Sequence, residues 1–328
     1  MIGRRRFLLT SLAGVLATPL AVEAQQAVKP TIGILDLASG SAVGTRRWDA
    51  FREGLRDLGH VEGQTLAIEY RFAQDQTNRL PALVAELIAL KVNVIVTIGT
   101  TAIRAAKNAT NTIPIVIAAG ADPVEQGFAR SLARPGGNIT GLSILGGDML
   151  QKRLQLLRQV VPQAKVAAFL LQGANPGNPV FVRAANAAAR SLGLVVHVIE
   201  VRAVTEFEAA FAEMVRTRAE ALLVIEDPSF LAHAKELAVL ALNRRLPTMM
   251  GTRVYVQAGA LMAYGVVIEA LLRRAAVYVD RILKGANPAE MPIEQPTKFD
   301  LGINLGTAKA LGLTIPPSLL ARADQVIE

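Results

Sequence analysis

The stretch KVNVIVTIGTTAIRAAKNATNTIPIVIAAG, residues 91–120, decides the fold. Apolar and β-branched residues dominate 92–98, as in a strand covered on both faces. Gly99 ends the run, a helix begins at about Thr101, and a second apolar run occupies 115–119. Strand, glycine turn, helix and strand make a βαβ unit of a parallel sheet. The same alternation extends in both directions. Upstream it predicts strands over 31–36 and 65–71 with helices over 45–58 and 78–90. Downstream it predicts strands over 139–145, 165–171, 194–201, 221–226 and 248–251. Helices over 148–161, 179–192, 206–217 and 229–245 separate them. The fold class is therefore α/β, with two Rossmann-like lobes, each on a parallel sheet.

The segment Arg134-Pro135-Gly136-Gly137-Asn138 carries neither helical nor strand character and reads as the first crossing between lobes. A second crossing falls near 256–265. A long amphipathic helix over 268–284 then precedes a third, over 291–296. The N-terminal lobe is thus expected to comprise 28–138 plus about 257–291, and the C-terminal lobe 139–256 plus about 292–328. Three crossings make a hinge. Asp122-Pro123 and Asp227-Pro228 each follow a strand, as helix cap and first helical residue, and read as a weak internal repeat.

The first 24 residues read as an address rather than a structural element. Arg4, Arg5 and Arg6 precede Phe7-Leu8-Leu9, and an apolar run ends at the small-residue site Val22-Glu23-Ala24. This is the pattern of a cleavable, twin-arginine-like export signal, too short to span a bilayer. The mature chain is expected in the periplasm. The 328 residues include no Cys, which removes disulfides and thiolate chemistry. The formal charge of +8 is spread along the chain and only 5% of residues are aromatic, so no nucleic-acid surface is expected.

In parallel sheets ligands bind beyond the C-terminal strand ends, where helix N-termini present free N–H groups. Candidate residues in the first lobe are Ser39, Gly40 and Ser41, then Gly99, Thr100 and Thr101, then Gly120 and Asp122. Those in the second are Ser143, Asn175, Asn178 and Asp227, with Tyr264 near the second crossing. Several have a plainer reading. Thr100 and Asn178 also suit helix caps, Ser39 and Ser41 an ordinary turn, and Tyr264 and Tyr255 hinge packing. Asp227 suits either an N-cap or the ammonium of an amino acid. His60, His197 and His233 form no motif, and no nucleophile elbow, Walker loop or dinucleotide turn occurs, so neither catalysis nor a cofactor nor a metal is expected.

A chain of local patterns goes further. Phe51-Arg52-Glu53-Gly54-Leu55-Arg56-Asp57-Leu58-Gly59, Ile68-Glu69-Tyr70-Arg71, Asp122-Pro123-Val124 and Ser131-Leu132-Ala133-Arg134-Pro135-Gly136-Gly137-Asn138 occur in order. Lys152-Arg153-Leu154, Gln295-Pro296-Thr297-Lys298-Phe299 and Pro316-Pro317-Ser318-Leu319-Leu320 follow. Together they resemble the family of ABC-transporter substrate-binding proteins over nearly the full length. The resemblance implies a type I periplasmic-binding-protein fold whose cleft closes on a small solute. It also implies a monomer that delivers this solute to a permease in the inner membrane. Relatives that bind aromatic amino acids make an amino-acid-like solute the leading expectation. A sensory module for a membrane receptor and a periplasmic enzyme are the alternatives. This chain has Ala263 where relatives often place Ser before Tyr264-Gly265, so solute identity does not transfer.

Overall fold

The computed structural model describes residues 29–38, 47–144 and 147–328. The expected export signal, and Ser39, Gly40 and Ser41, lie outside them. Five strands, Thr31–Asp36 (β1), Ala67–Phe72 (β2), Val94–Ile98 (β3), Ile115–Gly120 (β4) and Ile139–Ser143 (β5), form the first sheet in the order β2-β1-β3-β4-β5. Every neighbouring pair is parallel. Helices Leu80–Ala89 and Thr100–Ala109 cover one face, burying Val84, Leu87 and Ile103 against Ile95 and Ile117. Helix Asp49–Asp57 covers the other, so both faces of β1, β3 and β4 are dry. In chain order these helices are α1 (Asp49–Asp57), α2 (Leu80–Ala89) and α3 (Thr100–Ala109).

The second sheet contains Val166–Gln172 (β6), Val195–Val201 (β7), Ala221–Val224 (β8), Thr248–Met250 (β9), Met262–Val266 (β10), Phe299–Asn304 (β11) and Gln325–Ile327 (β12). Its order is β12-β11-β10-β9-β8-β6-β7, and β11 runs antiparallel to β10. The portion β7-β6-β8-β9-β10 has the same winding as the first sheet. Each lobe is thus a doubly wound sheet with a switch point beside its first strand. Helices Gly147–Val160 (α4), Asn178–Ser191 (α5), Phe207–Arg216 (α6), Pro228–Ala232 (α7), Ala234–Asn243 (α8) and Arg253–Gln257 (α9) belong to this lobe. One core cluster, centred on Phe169, Leu170, Phe211 and Leu223, unites them with the sheet.

Two of the three expected crossings move. The 134–138 loop stays within the first lobe, because Ile139 returns to pair beside Ile115 as an edge strand. Pro-Gly-Gly punctuation looks alike in a loop that leaves a sheet and in one that re-enters it. The chain instead crosses between Ser143 and α4. Residues 256–265 are not a crossing either, since Met262 and Ala263 pair with Met249 and Met250 of the second sheet. The chain leaves that sheet only after Val266, to form Ile268–Leu283 (α10) against the first lobe. Glu294 still bridges to Leu142 of β5, so the last crossing lies between it and β11. Two short helices, Leu305–Leu311 (α11) and Pro317–Leu320 (α12), complete the chain.

The winding also disposes of the Asp-Pro repeat. Asp122 follows the fourth strand of its lobe and Asp227 the third of its own, so the two are not equivalent positions. The expected helix over 229–245 is two helices, α7 and α8, meeting at His233.

A Cβ on Gly54 of α1 would lie 2.8 Å from the Arg273 carbonyl oxygen and 3.0 Å from the Ala276 Cβ of α10. Gly54→Val is therefore expected to wedge these helices apart and lower stability by about 1–3 kcal/mol. A urea melt checks this, and an unchanged midpoint contradicts the close packing of α10 on α1.

Candidate functional site

The C-terminal ends of the two sheets face each other. β3 ends at Gly99, whose φ of 85° and ψ of 139° suit glycine, and α3 starts at the next residue with no side-chain cap. Thr100 is thus the first helical residue and not the N-cap. A Cβ on Gly99 would stand 2.9 Å from Cγ of Pro228, which opens α7 on the opposite lobe. The rims are in contact here. Farther out, His233 Nε2 lies 3.6 Å from Asp75 Oδ2, a second bridge between lobes.

The Gly99–Pro228 contact forms part of the wall of a cavity of about 730 Å³, including its open mouth. The first lobe contributes Ile98, Gly99, Thr100, Gly120, Ile144 and, from α10, Ile268. The second contributes Leu150, Phe181 and Leu231 as apolar surface, with Arg153, Glu226 and Tyr255 among its polar groups. A mostly apolar wall with a few convergent polar groups is the usual constitution of a small-molecule site.

Arg153, on α4, is buried, and all its nitrogens are engaged. Its Nε donates to the Tyr264 carbonyl at 2.7 Å and its Nη1 to Glu226 Oε2 at 2.6 Å, while Nη2 meets Glu226 Oε1. Two glycines make room for this fork. A Cβ on Gly251 would fall 2.2 Å from the Glu226 Cγ, and one on Gly265 would fall 1.8 Å from the Gly251 carbonyl oxygen. Glu226 is held in the cavity lining with both carboxylate oxygens on the Arg153 guanidinium.

Asp227 performs the structural one of its two expected roles. Its Oδ1 accepts from the Ser229 amide at 3.0 Å and hydroxyl at 2.7 Å, capping α7, and its Oδ2 accepts from Asn175 Nδ2 at 3.2 Å. Burial raises its carboxyl above the usual range, opposed by those same donors. It lines the cavity with both oxygens already partnered. Asn175 also accepts from the Gly177 amide, and so serves the loop rather than an open space. Asn178 is the first residue of α5, not its cap, and donates to the Gln172 carbonyl while its Oδ1 is buried and unpaired.

The other expected residues divide. Gly99, Thr100 and Gly120 line the cavity. Thr101 and Ser143 carry buried hydroxyls without a partner but are not in the lining. Asp122 is occupied by its own turn, accepting from the Val124 and Glu125 amides. Tyr264 turns its ring onto Phe299 and gives only its carbonyl to Arg153. Ala263 is buried in the sheet, so the departure at this position does not reach the cavity.

Sequence reading passed over three groups that the fold brings to the cavity, Arg153, Glu226 and Thr252, and weighed a fourth, Tyr255, between the cleft wall and hinge packing; it lies in the wall. Arg153 and Glu226 stood in view within Lys152-Arg153-Leu154 and Glu226-Asp227-Pro228, but nothing local shows that they meet. Thr252 and Tyr255 lie one turn apart at the start of α9, and both carry buried hydroxyls with no partner. Burial pushes the Tyr255 phenol well above its ordinary range, and the nearby carboxylates of Glu226 and Asp227 add to this. It stays protonated. The histidines do not converge: His60 bonds Asp280 at 2.8 Å, and His197 sits in β7. Among the described residues no cluster of three or more His, Asp or Glu side chains could hold a metal.

Two doubly wound lobes enclosing one cavity define a type I periplasmic-binding-protein architecture. The chain belongs to the ABC transporter substrate-binding protein family, whose model matches residues 31–327. A tyrosine-binding protein of Clostridioides difficile strain R20291 is 26% identical over 265 residues, covering 80% of this chain and 75% of the relative. Among solved structures, an ABC domain from Streptococcus pneumoniae in complex with L-Trp superposes with a TM-score of 0.84 at 24% identity, covering 91% of this chain and 100% of the other. A ligand-free, open substrate-binding protein with adhesive properties from Clostridium difficile, also 24% identical, reaches 0.63 over 91% of this chain and 99% of its own.

Removing one member of a buried ion pair strands the other. Arg153→Met is expected to lower stability by about 3 kcal/mol, and Arg153→Lys to restore only part, because an ammonium cannot reproduce the two-pronged contact. Urea melts of the two variants check the order.

Proposed function

We propose that this protein is the solute-capturing component of an ABC importer, working in the periplasm and closing its two lobes on an amino acid with an apolar side chain. The observation that carries this reading is the cavity itself, lined from both lobes and containing buried hydroxyls that have no protein partner. Such groups cost free energy unless something bonds them. The named ligands of the relatives, tyrosine and L-Trp, support an amino acid. The better superposition on the L-Trp complex than on the open chain, at equal identity, agrees with the closed rims at Gly99 and Pro228.

In this reading the uncapped first turn of α3 takes the solute's carboxylate on its free amides, at the positive end of the helix dipole. The Ile98, Ile144, Leu150 and Leu231 surfaces take the apolar side chain. Closure then follows from differential binding. A solute that touches both lobes favours the closed state by the contacts that the open state lacks. The closed monomer is what an inner-membrane permease, driven by a cytoplasmic ATPase, recognises. The apolar segment ahead of Ala24 supports export, and no helix among the described residues is long and apolar enough to cross a membrane.

The test uses the chain without its first 24 residues and a panel of L-tryptophan, L-tyrosine, L-phenylalanine and L-leucine. A panel member at a hundredfold excess over its Kd is expected to stabilise the fold by about 2.7 kcal/mol. Small-angle scattering is expected to show a smaller radius with that solute than without it. No stabilisation by any member, or an unchanged radius with solute bound, overturns the reading.

A further inference from the structure

His233 stands between two carboxylates that belong to different lobes. Its Nε2 lies 3.6 Å from Oδ2 of Asp75 on the first-lobe rim, and its Nδ1 lies 3.5 Å from Oε2 of Glu236, three residues on in its own lobe. Phe207 packs edge-on against the imidazole, with ring centroids 6.2 Å apart at 81°. A neutral imidazole has a proton on one nitrogen and a lone pair on the other. It can therefore satisfy one of these carboxylates and turns a lone pair toward the second. The imidazolium has an N–H for each.

Asp75 is held in this position by its backbone. Gln74 and Asp75 follow β2 with φ of 55° and 59°, a left-handed conformation that is costly for residues other than glycine and persists only where the surroundings impose it. The Asp75 amide donates to the Leu37 carbonyl at 2.8 Å, and Arg79 donates to the Gln74 side chain at 2.8 Å. Asp75 Oδ1 is buried and makes no hydrogen bond. The other charges facing Asp75 are Arg47 and Asp36 of the first lobe, which pair with each other at 3.0 Å, and Asp227 of the second. Arg202 stands with Asp75 along a small cavity of about 230 Å³ between the lobes. Burial raises the Asp75 carboxyl above its usual range, opposed by His233 and Arg47.

We propose that Asp75, His233 and Glu236 form a proton-operated latch between the two rims, which favours the closed lobes when the imidazole is charged. The inference rests on the reading that the lobes open and close, and adds a second input to that motion. Glu236 travels with His233 and faces it in either state. Asp75 reaches it only when the rims meet. The charged ring thus gains a second carboxylate on closing, and the neutral ring gains none, so closing takes up protons. The closed state is favoured on the acidic side of the imidazole range, about pH 5 to 8, and loses this contribution as pH rises through it. His233 and Asp75 are 30% and 21% exposed, so solvent screens the pair and its effect is a modest one.

The chain contains no Cys, so Ala85→Cys in α2 and Val239→Cys in α8, both exposed and one on each lobe, can be spin-labelled uniquely. Distance distributions between the labels, measured without solute, are expected to show a closed-to-open ratio about two- to fivefold higher at about pH 5.5 than at about pH 8. His233→Gln and Asp75→Asn are each expected to abolish the difference. In calorimetric titrations of the unlabelled wild-type chain, a panel amino acid that binds is expected to bind about two- to fivefold more tightly at the lower pH, by the same linkage. Its own ammonium and carboxylate do not titrate in this interval. Equal ratios and equal affinities at the two pH values overturn the latch and leave solute capture standing. So does a pH response that survives in either variant. Absence of binding by every panel member overturns the capture reading, while the distances still decide the latch.

Discussion

The guanidinium of Arg153 ties together four chain ends that would otherwise be separate loops. It projects from α4, grips Glu226 just beyond β8, bonds the carbonyl of Tyr264 in β10, and lies against the Gly251–Gly265 contact where β9 and β10 come together. Burying an arginine is costly unless its donors are matched, and the match here is bidentate plus one carbonyl. The pair therefore contributes geometry more than stability. It sets the orientation of the Glu226 carboxylate in the cavity lining, and the two glycines are the steric condition for that orientation.

Opposite this fixed corner, the first lobe offers a different kind of surface. Its rim is made of Gly99, Thr100 and Gly120, small residues that let backbone amides stand at the cavity. Only an arrangement with the rims this close lets a single small molecule reach both lobes. The Gly99–Pro228 contact, in the cavity wall, and the Asp75–His233 bridge, outside its lining, hold the two rims together.

The architecture was legible because β1, β3 and β4 of the first sheet are buried on both faces and read as continuous apolar runs between helical stretches, so pattern alone locates them. What periodicity lacks is membership. Ile139–Ser143 has the same composition whether it begins a new sheet or ends the old one, and only the hydrogen bonds to β4 decide. The 262–266 strand escaped notice because Met-Ala-Tyr-Gly-Val contains two small residues and follows a turn of small residues, Ala258-Gly259-Ala260. The site was legible in part for the same reason. Gly99, Thr100 and Gly120 follow from the rule that ligands lie beyond strand ends. Asp122 obeyed the rule's position but spent its carboxylate on a turn, and Arg153 and Tyr255 reached the cavity from helices that the rule does not weigh.

The unpaired hydroxyls bear on how the two lobes communicate. With the rims in contact, the Tyr255 and Thr252 hydroxyls are buried and no protein group bonds them. Closing empty is therefore penalised by the desolvation of each group, about 1–3 kcal/mol apiece. Closing on a solute that bonds them removes the penalty and adds its own contacts. Two hydroxyls of this kind suffice to separate the empty and filled closed states by several kcal/mol, which is the scale needed to move a two-state equilibrium from mostly open to mostly closed.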